Sequence, residues 1–212
     1  MYVEGVHRKR CRRYNFPGHA HELTFSCYRN RAFLSSNRTC QYLADSIIKA
    51  KQKHDFDLWA YVFMPEHVHL LICPRKPDYS ISQILLFIKQ SVSRKAIIYL
   101  KKNNPNGFKS LATGQKHRPY RFWQAGGGYD RNITSPQTII NAVRYIHNNP
   151  VRRELAASAE QWYYSSIRDW QGTGCGPIPI DFDSFPATEK HAQKDFELAT
   201  HNQYAEMCCI HF

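Results

Sequence analysis

One stretch limits the fold more than any other: Tyr61-Val62-Phe63-Met64-Pro65-Glu66-His67-Val68-His69-Leu70-Leu71-Ile72. It is apolar and β-favouring, and it carries two histidines one residue apart. Successive side chains of a strand point to opposite faces, so His67 and His69 project to the same side. Val68, Leu70 and Ile72 then line the other side, apolar enough to rest on a core. Two imidazoles on one rigid face can grip a single metal ion. They can equally be two hydrogen-bonded histidines on a half-buried strand, and spacing alone leaves both readings open.

The rest of the chain supplies a scaffold for that strand. His21 to Arg29 alternates as a first strand, and residues 37–54 form a helix with Leu43, Ala44, Ile47 and Ala50 on one side. Residues 57–64 give a second strand, Pro65-Glu66 a tight turn, and residues 67–73 a third strand, antiparallel to the second. Ser80 with Gln83 has the form of a capping box, and apolar residues at 81, 84, 85, 88, 92, 96 and 99 continue as a helix. Residues 103–120 read as a loop, and residues 121–133 as two short strands around a glycine turn. Ser135-Pro136 opens a further helix, expected to stop near Asn148 because Pro150 restricts the residue before it. The order β-α-β-β-α-β(β)-α predicts an α+β, ferredoxin-like sandwich, an antiparallel sheet with helices packed on it. The expected division is a basic arm over 1–20, one domain over 21–171 and an extension over 172–212, with a weak helix around 187–207.

Charge bears on the partner. The 212 residues hold 29 Lys and Arg against 17 Asp and Glu, a formal net charge of +12. That excess favours an anionic partner, most simply nucleic acid. The run His7-Arg8-Lys9-Arg10-Cys11-Arg12-Arg13 is either a solvated tail or an arm that orders on a phosphate backbone. The longest strictly apolar run, Ile84 to Ile88, is far too short to cross a bilayer, and no apolar segment follows the basic N-terminus. Seven scattered cysteines without a Cys-x-x-Cys pair argue against a disulfide framework or a structural zinc site. A cytoplasmic protein without a membrane partner is expected.

Along the helix from Pro136, Ile139, Val143 and Ile146 make the stripe that must face the sheet. Asn141, Tyr145 and Asn149 recur every four residues on an adjacent stripe. Tyr145 thus presents its phenol at the edge of the buried face, either as a core aromatic with a wet hydroxyl or as a reactive group. His147 is expected to face solvent, and Asp130 and Arg131 to pair with one another.

Four motifs in order now become recognisable: Met64-Pro65-Glu66-His67-Val68-His69-Leu70-Leu71; Phe122-Trp123-Gln124 with Tyr129-Asp130-Arg131; Tyr145-Ile146-His147-Asn148-Asn149-Pro150-Val151-Arg152; and Trp162-Tyr163-Tyr164-Ser165-Ser166. The set resembles the REP-associated tyrosine transposases, relatives of the single-tyrosine transposases within the His-hydrophobe-His endonucleases. The resemblance spans roughly residues 21–171. It implies that His67 and His69 bind a metal, Mg²⁺ or Mn²⁺, that Asn149 adds a further polar ligand, and that Tyr145 is the nucleophile. Glu66 and Glu22 stand as fallback oxygen donors. The implied substrate is single-stranded, hairpin DNA, cleaved and rejoined through a 5′-phosphotyrosine. Arg12, Arg13, Lys89, Arg121, Trp123, Tyr129, Arg131, Arg152 and Arg153 provide the basic and aromatic mix suited to such DNA.

A domesticated, non-catalytic DNA-binding protein of the same fold is the alternative. Histidine-triad hydrolases need a third alternating histidine, and Leu71 occupies that position. A monomer is expected, with Tyr145 acting on its own chain's histidines; a dimer stays open.

Overall fold

The computed structural model describes residues 13–186. Strands β1 (Ala20–Ser26), β2 (Phe56–Phe63), β3 (His67–Pro74) and β4 (Tyr129–Ile133) form one antiparallel sheet in the order β2-β3-β1-β4. Helices α1 (Asn37–His54), α2 (Ile81–Asn103) and the short α3 (Pro105–Lys109) precede β4. Helices α4 (Pro136–Arg152) and α5 (Ile167–Gln171) follow it. The α+β sandwich expected from the sequence is present, with helices on both faces of the sheet.

Period-two alternation assigns the faces. Leu23, Phe25, Val68, Leu70 and Ile72 join the core that α1 and α2 close. Ala20, Ala60, Val62, Leu71 and Ile133 join Ile139, Val143 and Ile146 of α4 in a second core on the opposite face. Each of those three helix side chains contributes about 1.5–3 kcal/mol by leaving water. The register shift between Leu58 and Ala60 turns Trp59 and Ala60 toward the same, α4-side core. A bulge of this kind is how a strand re-aims its side chains. Strand β2 lies at the sheet edge yet is buried throughout. The Phe63 amide donates to Tyr164, Ser166 to Tyr61 and Asp181 to Leu58, so later chain segments occupy its free edge.

Local signals held at several ends. The Ser80 hydroxyl accepts from the Gln83 amide and caps α2. Pro136 occupies the first turn of α4, although the Ser135 side chain makes no capping bond. Other expectations need correction. Residues 103–120 contain α3, and residues 121–133 hold only β4, with Trp123 bridging singly to Cys27. Helix α4 runs through Pro150 to Arg152 instead of ending at Asn148. Proline removes one hydrogen bond there, in the last turn, where the helix is already running out of partners.

Residues 176–185 pack onto the domain. Ile178 is wholly buried and donates its amide to the Tyr61 hydroxyl, and Asp181 accepts from the Leu58 amide. Phe185 packs on Trp59 and Trp170. The helix expected around 187–207 and most of the basic arm lie outside the described residues. Among the described residues no helix is long and apolar enough to cross a membrane.

His147 faces inward, against expectation. It is 1% exposed, and its Nε2 lies 2.8 Å from the Ser166 hydroxyl, which accepts from the Tyr61 amide. Burial pulls its pKa down to about 3, with Glu160 opposing weakly. The folded state therefore refuses a proton that the unfolded chain accepts below about pH 6.5. Stability should be complete above that value and fall as the pH drops toward 3. Chemical denaturation of wild type and His147→Asn between pH 6 and pH 4 should show a slope shallower in the variant by about 1.4 kcal/mol per pH unit.

Candidate active site

The histidine pair sits where β3 passes under the edge of α4. The two Nε2 atoms face one another at 3.0 Å, and the rings stand at 81°. The outer nitrogens are held separately. His67 Nδ1 donates to Glu66 Oε1 at 3.1 Å, which leaves an acceptor lone pair on its Nε2. His69 Nδ1 meets the Thr24 hydroxyl at 2.9 Å, because Thr24 is its register partner on β1. Glu66 also accepts from Arg153 at 2.7 Å, which ties the end of α4 to the β2–β3 turn.

Electrostatics keep both rings neutral. Burial first, then His67, brings the His69 pKa down to about 3. Burial likewise lowers His67, against the pull of Glu66. Burial acts to raise the Glu66 carboxyl, but the hydrogen bond from Arg153, the neighbouring His67 ring and the Arg153 charge outweigh it and hold the group below its ordinary range. Neutral imidazoles with inward-facing nitrogens are the form in which histidine ligates a cation. Two imidazole nitrogens this close can turn toward one shared divalent ion. Among the described residues no three His, Cys, Asp or Glu side chains are grouped to hold an ion by themselves.

Tyr145 comes to the same place. Its ring stands edge-on to His69 at 5.7 Å between centroids and is 41% exposed. Arg152 lies over that ring, 5.0 Å from its centre. Tyr145 and His69 line an open cleft of about 650 Å³ with Glu22, Thr24, Tyr129, Arg131 and Asn141.

The other expected site residues divide. Tyr129 and Arg131 line the cleft. Asn149 does not; it is 6% exposed, and its amide nitrogen donates to the Tyr145 carbonyl one turn back. Asp130 pairs with Arg13 at 2.9 Å and His21 at 2.8 Å, not with Arg131, since neighbours on a strand point to opposite faces. Arg131 instead lies 3.8 Å from Glu22. Trp123 is not available to stack on a base: it is 6% exposed, donates to the Lys89 carbonyl and packs on Phe25. Lys89 donates to the Gly126 carbonyl, and burial followed by Arg13 lowers its pKa to about 8. Arg121 bonds Gln115, away from the cleft, and Arg12 lies outside the described residues. Thr24 was not read from the sequence as a site residue, and Glu22 and Glu66 were read only as fallback oxygen donors. Strand pairing alone could have drawn attention to Thr24, whose register partner is His69.

A sheet-borne imidazole pair thus lies beside a helix-borne phenol. Residues 16–149 match the family described as "Transposase IS200 like", and the chain belongs to that family. It is 25% identical over 181 residues to the REP-associated tyrosine transposase of Escherichia coli K12, covering 84% of this chain and 96% of that protein. A Haemophilus influenzae protein provisionally given the same designation is 26% identical over 138 residues, 62% of this chain and 74% of its own length. A solved REP-associated tyrosine transposase bound to a REP hairpin shares the fold, with a TM-score of 0.62 at 22% identity, covering 86% of this chain and 100% of that one.

Glu66 sets the His67 tautomer in this geometry. Long-range ¹H–¹⁵N spectra should show His67 protonated on Nδ1 in wild type. In Glu66→Ala the same ring should move toward the Nε2–H form, and because the two Nε2 atoms share one proton, His69 should shift with it toward Nδ1–H, donating to the Thr24 hydroxyl.

Proposed function

We propose that the chain cleaves and rejoins single-stranded, hairpin-forming DNA through Tyr145, with a divalent ion, Mg²⁺ or Mn²⁺, held by His67 and His69. The contact between the Tyr145 and His69 rings carries this reading. Within one chain it sets a solvent-accessible phenol beside a pair of neutral imidazole nitrogens. It also supports a monomer acting on its own histidines.

In this reading the Tyr145 oxygen attacks the phosphorus of the scissile phosphodiester. The Oη–P bond forms and the P–O3′ bond breaks. The phenolic proton departs, and the 3′ oxygen leaves as a hydroxyl after taking up a proton. A 5′-phosphotyrosine remains. Phenolate is also a tolerable leaving group, so a 3′-hydroxyl can attack in reverse and rejoin the strand without hydrolysis. The bound ion would supply charge neutralisation at a phosphoryl oxygen. Glu66 and Thr24 keep the two imidazoles oriented, since the outer hydrogen bonds of such rings fix tautomer and direction. Arg152, over the Tyr145 ring, and Arg131, at the cleft wall, offer cations to the flanking phosphates. Asn149 is retained as a further donor, on condition that its amide leaves the Tyr145 carbonyl.

Labelled hairpin DNA, incubated with Mn²⁺ and run on a denaturing gel, should give a protein-linked band. The band should disappear in Tyr145→Phe and His67→Ala, while both variants still bind the hairpin. Hairpin binding without a covalent band in wild type would favour the non-catalytic alternative. In a Mn²⁺ titration followed by electron paramagnetic resonance, Thr24→Val and Glu66→Gln should each weaken the ion by about 10- to 100-fold.

A further inference from the structure

The reading of the site leaves one cleft group unused. Glu22 is 7% exposed and faces the cleft beside Tyr145. A carboxyl withdrawn from water is costly unless hydrogen-bond donors reach it. Its nearest cation is Arg131, directly opposite on β4, but the separation of 3.8 Å is too long for a hydrogen bond, and the Arg131 side chain is half exposed. Burial raises the Glu22 pKa, and Arg131 only partly offsets it.

Strand register sets Glu22 apart from the imidazole pair. His67 faces Ser26, His69 faces Thr24, and Glu22 faces Leu71, one step past His69 on the side away from His67. The Thr24 hydroxyl occupies the His69 nitrogen on that side. Glu22 therefore looks into the cleft, not at the paired Nε2 atoms.

A carboxylate repels phosphate, so the groups of a DNA strand that suit it in this cleft are the donors of a base. Guanine alone presents two adjacent donors, N1–H and N2–H₂, which match the two oxygens of a carboxylate. Thymine has one imino donor, and adenine and cytosine have one amino group each. Arg131 supplies a donor suited to guanine O6 or N7. Tyr129, 50% exposed on the same wall, offers a ring face for stacking. The cleft volume of about 650 Å³ accommodates a base with room for its sugar.

We propose that this cleft takes one unstacked guanine of the DNA strand, read by the Glu22 carboxylate through its N1–H and N2–H₂. The inference rests on the reading of the chain as a single-strand DNA transposase. Because Tyr145 lines the same cleft, the guanine lies close to the attacked phosphate, and Glu22 determines which sequence is positioned there.

The test is fluorescence anisotropy with the Tyr145→Phe protein, so that no cleavage intervenes. A hairpin panel carries single-stranded flanks in which each guanine in turn is replaced by inosine, which lacks the N2 amino group. One position should weaken binding about tenfold on replacement. Adding Glu22→Gln should make guanine and inosine equivalent there. Insensitivity at every position overturns the proposal without any appeal to the variant, so a misfolded Glu22→Gln would not protect it. An inosine penalty unchanged by Glu22→Gln also overturns it, as does loss of Mn²⁺ binding in that variant, which would make Glu22 an ion ligand. Failure to bind any hairpin at low salt overturns the DNA reading itself, and this proposal with it.

Discussion

Two imidazole nitrogens 3.0 Å apart cannot both belong to charged rings. Two positive charges at that distance would repel by roughly 5 kcal/mol even at an effective dielectric constant of 20. Much of the structure enforces neutrality. Helix α4 lays Ile139, Val143 and Ile146 over Ala60, Val62 and Leu71, and its edge removes water from His69. The same helix carries Tyr145 one position before Ile146, so the apolar stripe that dries the imidazoles also fixes the phenol beside them. Scaffold and reactive group are one element here.

The site draws on distant parts of the chain. Thr24 reaches His69 from β1, Glu66 reaches His67 from the β2–β3 turn, and Arg153 reaches Glu66 from the end of α4. Gly128 lets β4 begin close to β1: a side chain there would meet the Thr24 carbonyl oxygen, and its φ of +73° is a left-handed conformation. The segment 164–181 closes the free edge of β2, and Ser166 links that edge to His147.

What the sequence revealed was whatever depends on local geometry. Alternation over 61–72 is a property of the strand itself, so the shared face of His67 and His69 and the core face of Val68, Leu70 and Ile72 were both legible. The Ile139, Val143 and Ile146 stripe was legible for the same reason. His147 was misread because the buried stripe of α4 is wider than the sheet requires; a second surface, around Ser166 and Trp170, covers it from later in the chain. Glu66, Glu22 and Thr24 acquire their places through contacts that spacing along one element cannot display. The Asp130–Arg131 pairing was a different kind of error, since alternation on a strand already forbids it.

The charge of the cleft is more mixed than the total of the chain. The formal net charge is +12, yet the cleft beside the phenol also holds a buried imidazole, a threonine and a withdrawn carboxyl. Cations stand at the rim: Arg131 on the wall, Arg152 over the Tyr145 ring and Arg153 at the end of α4. Rim cations attract a polyanion and set its register without gripping the reacting phosphate itself. Arg153 belongs to both regions. Its Nη1 donates to Glu66, the carboxylate that accepts from His67, while the rest of its half-exposed guanidinium stays open to solvent. A single guanidinium therefore joins the exposed rim to the hydrogen bond that orients the His67 ring.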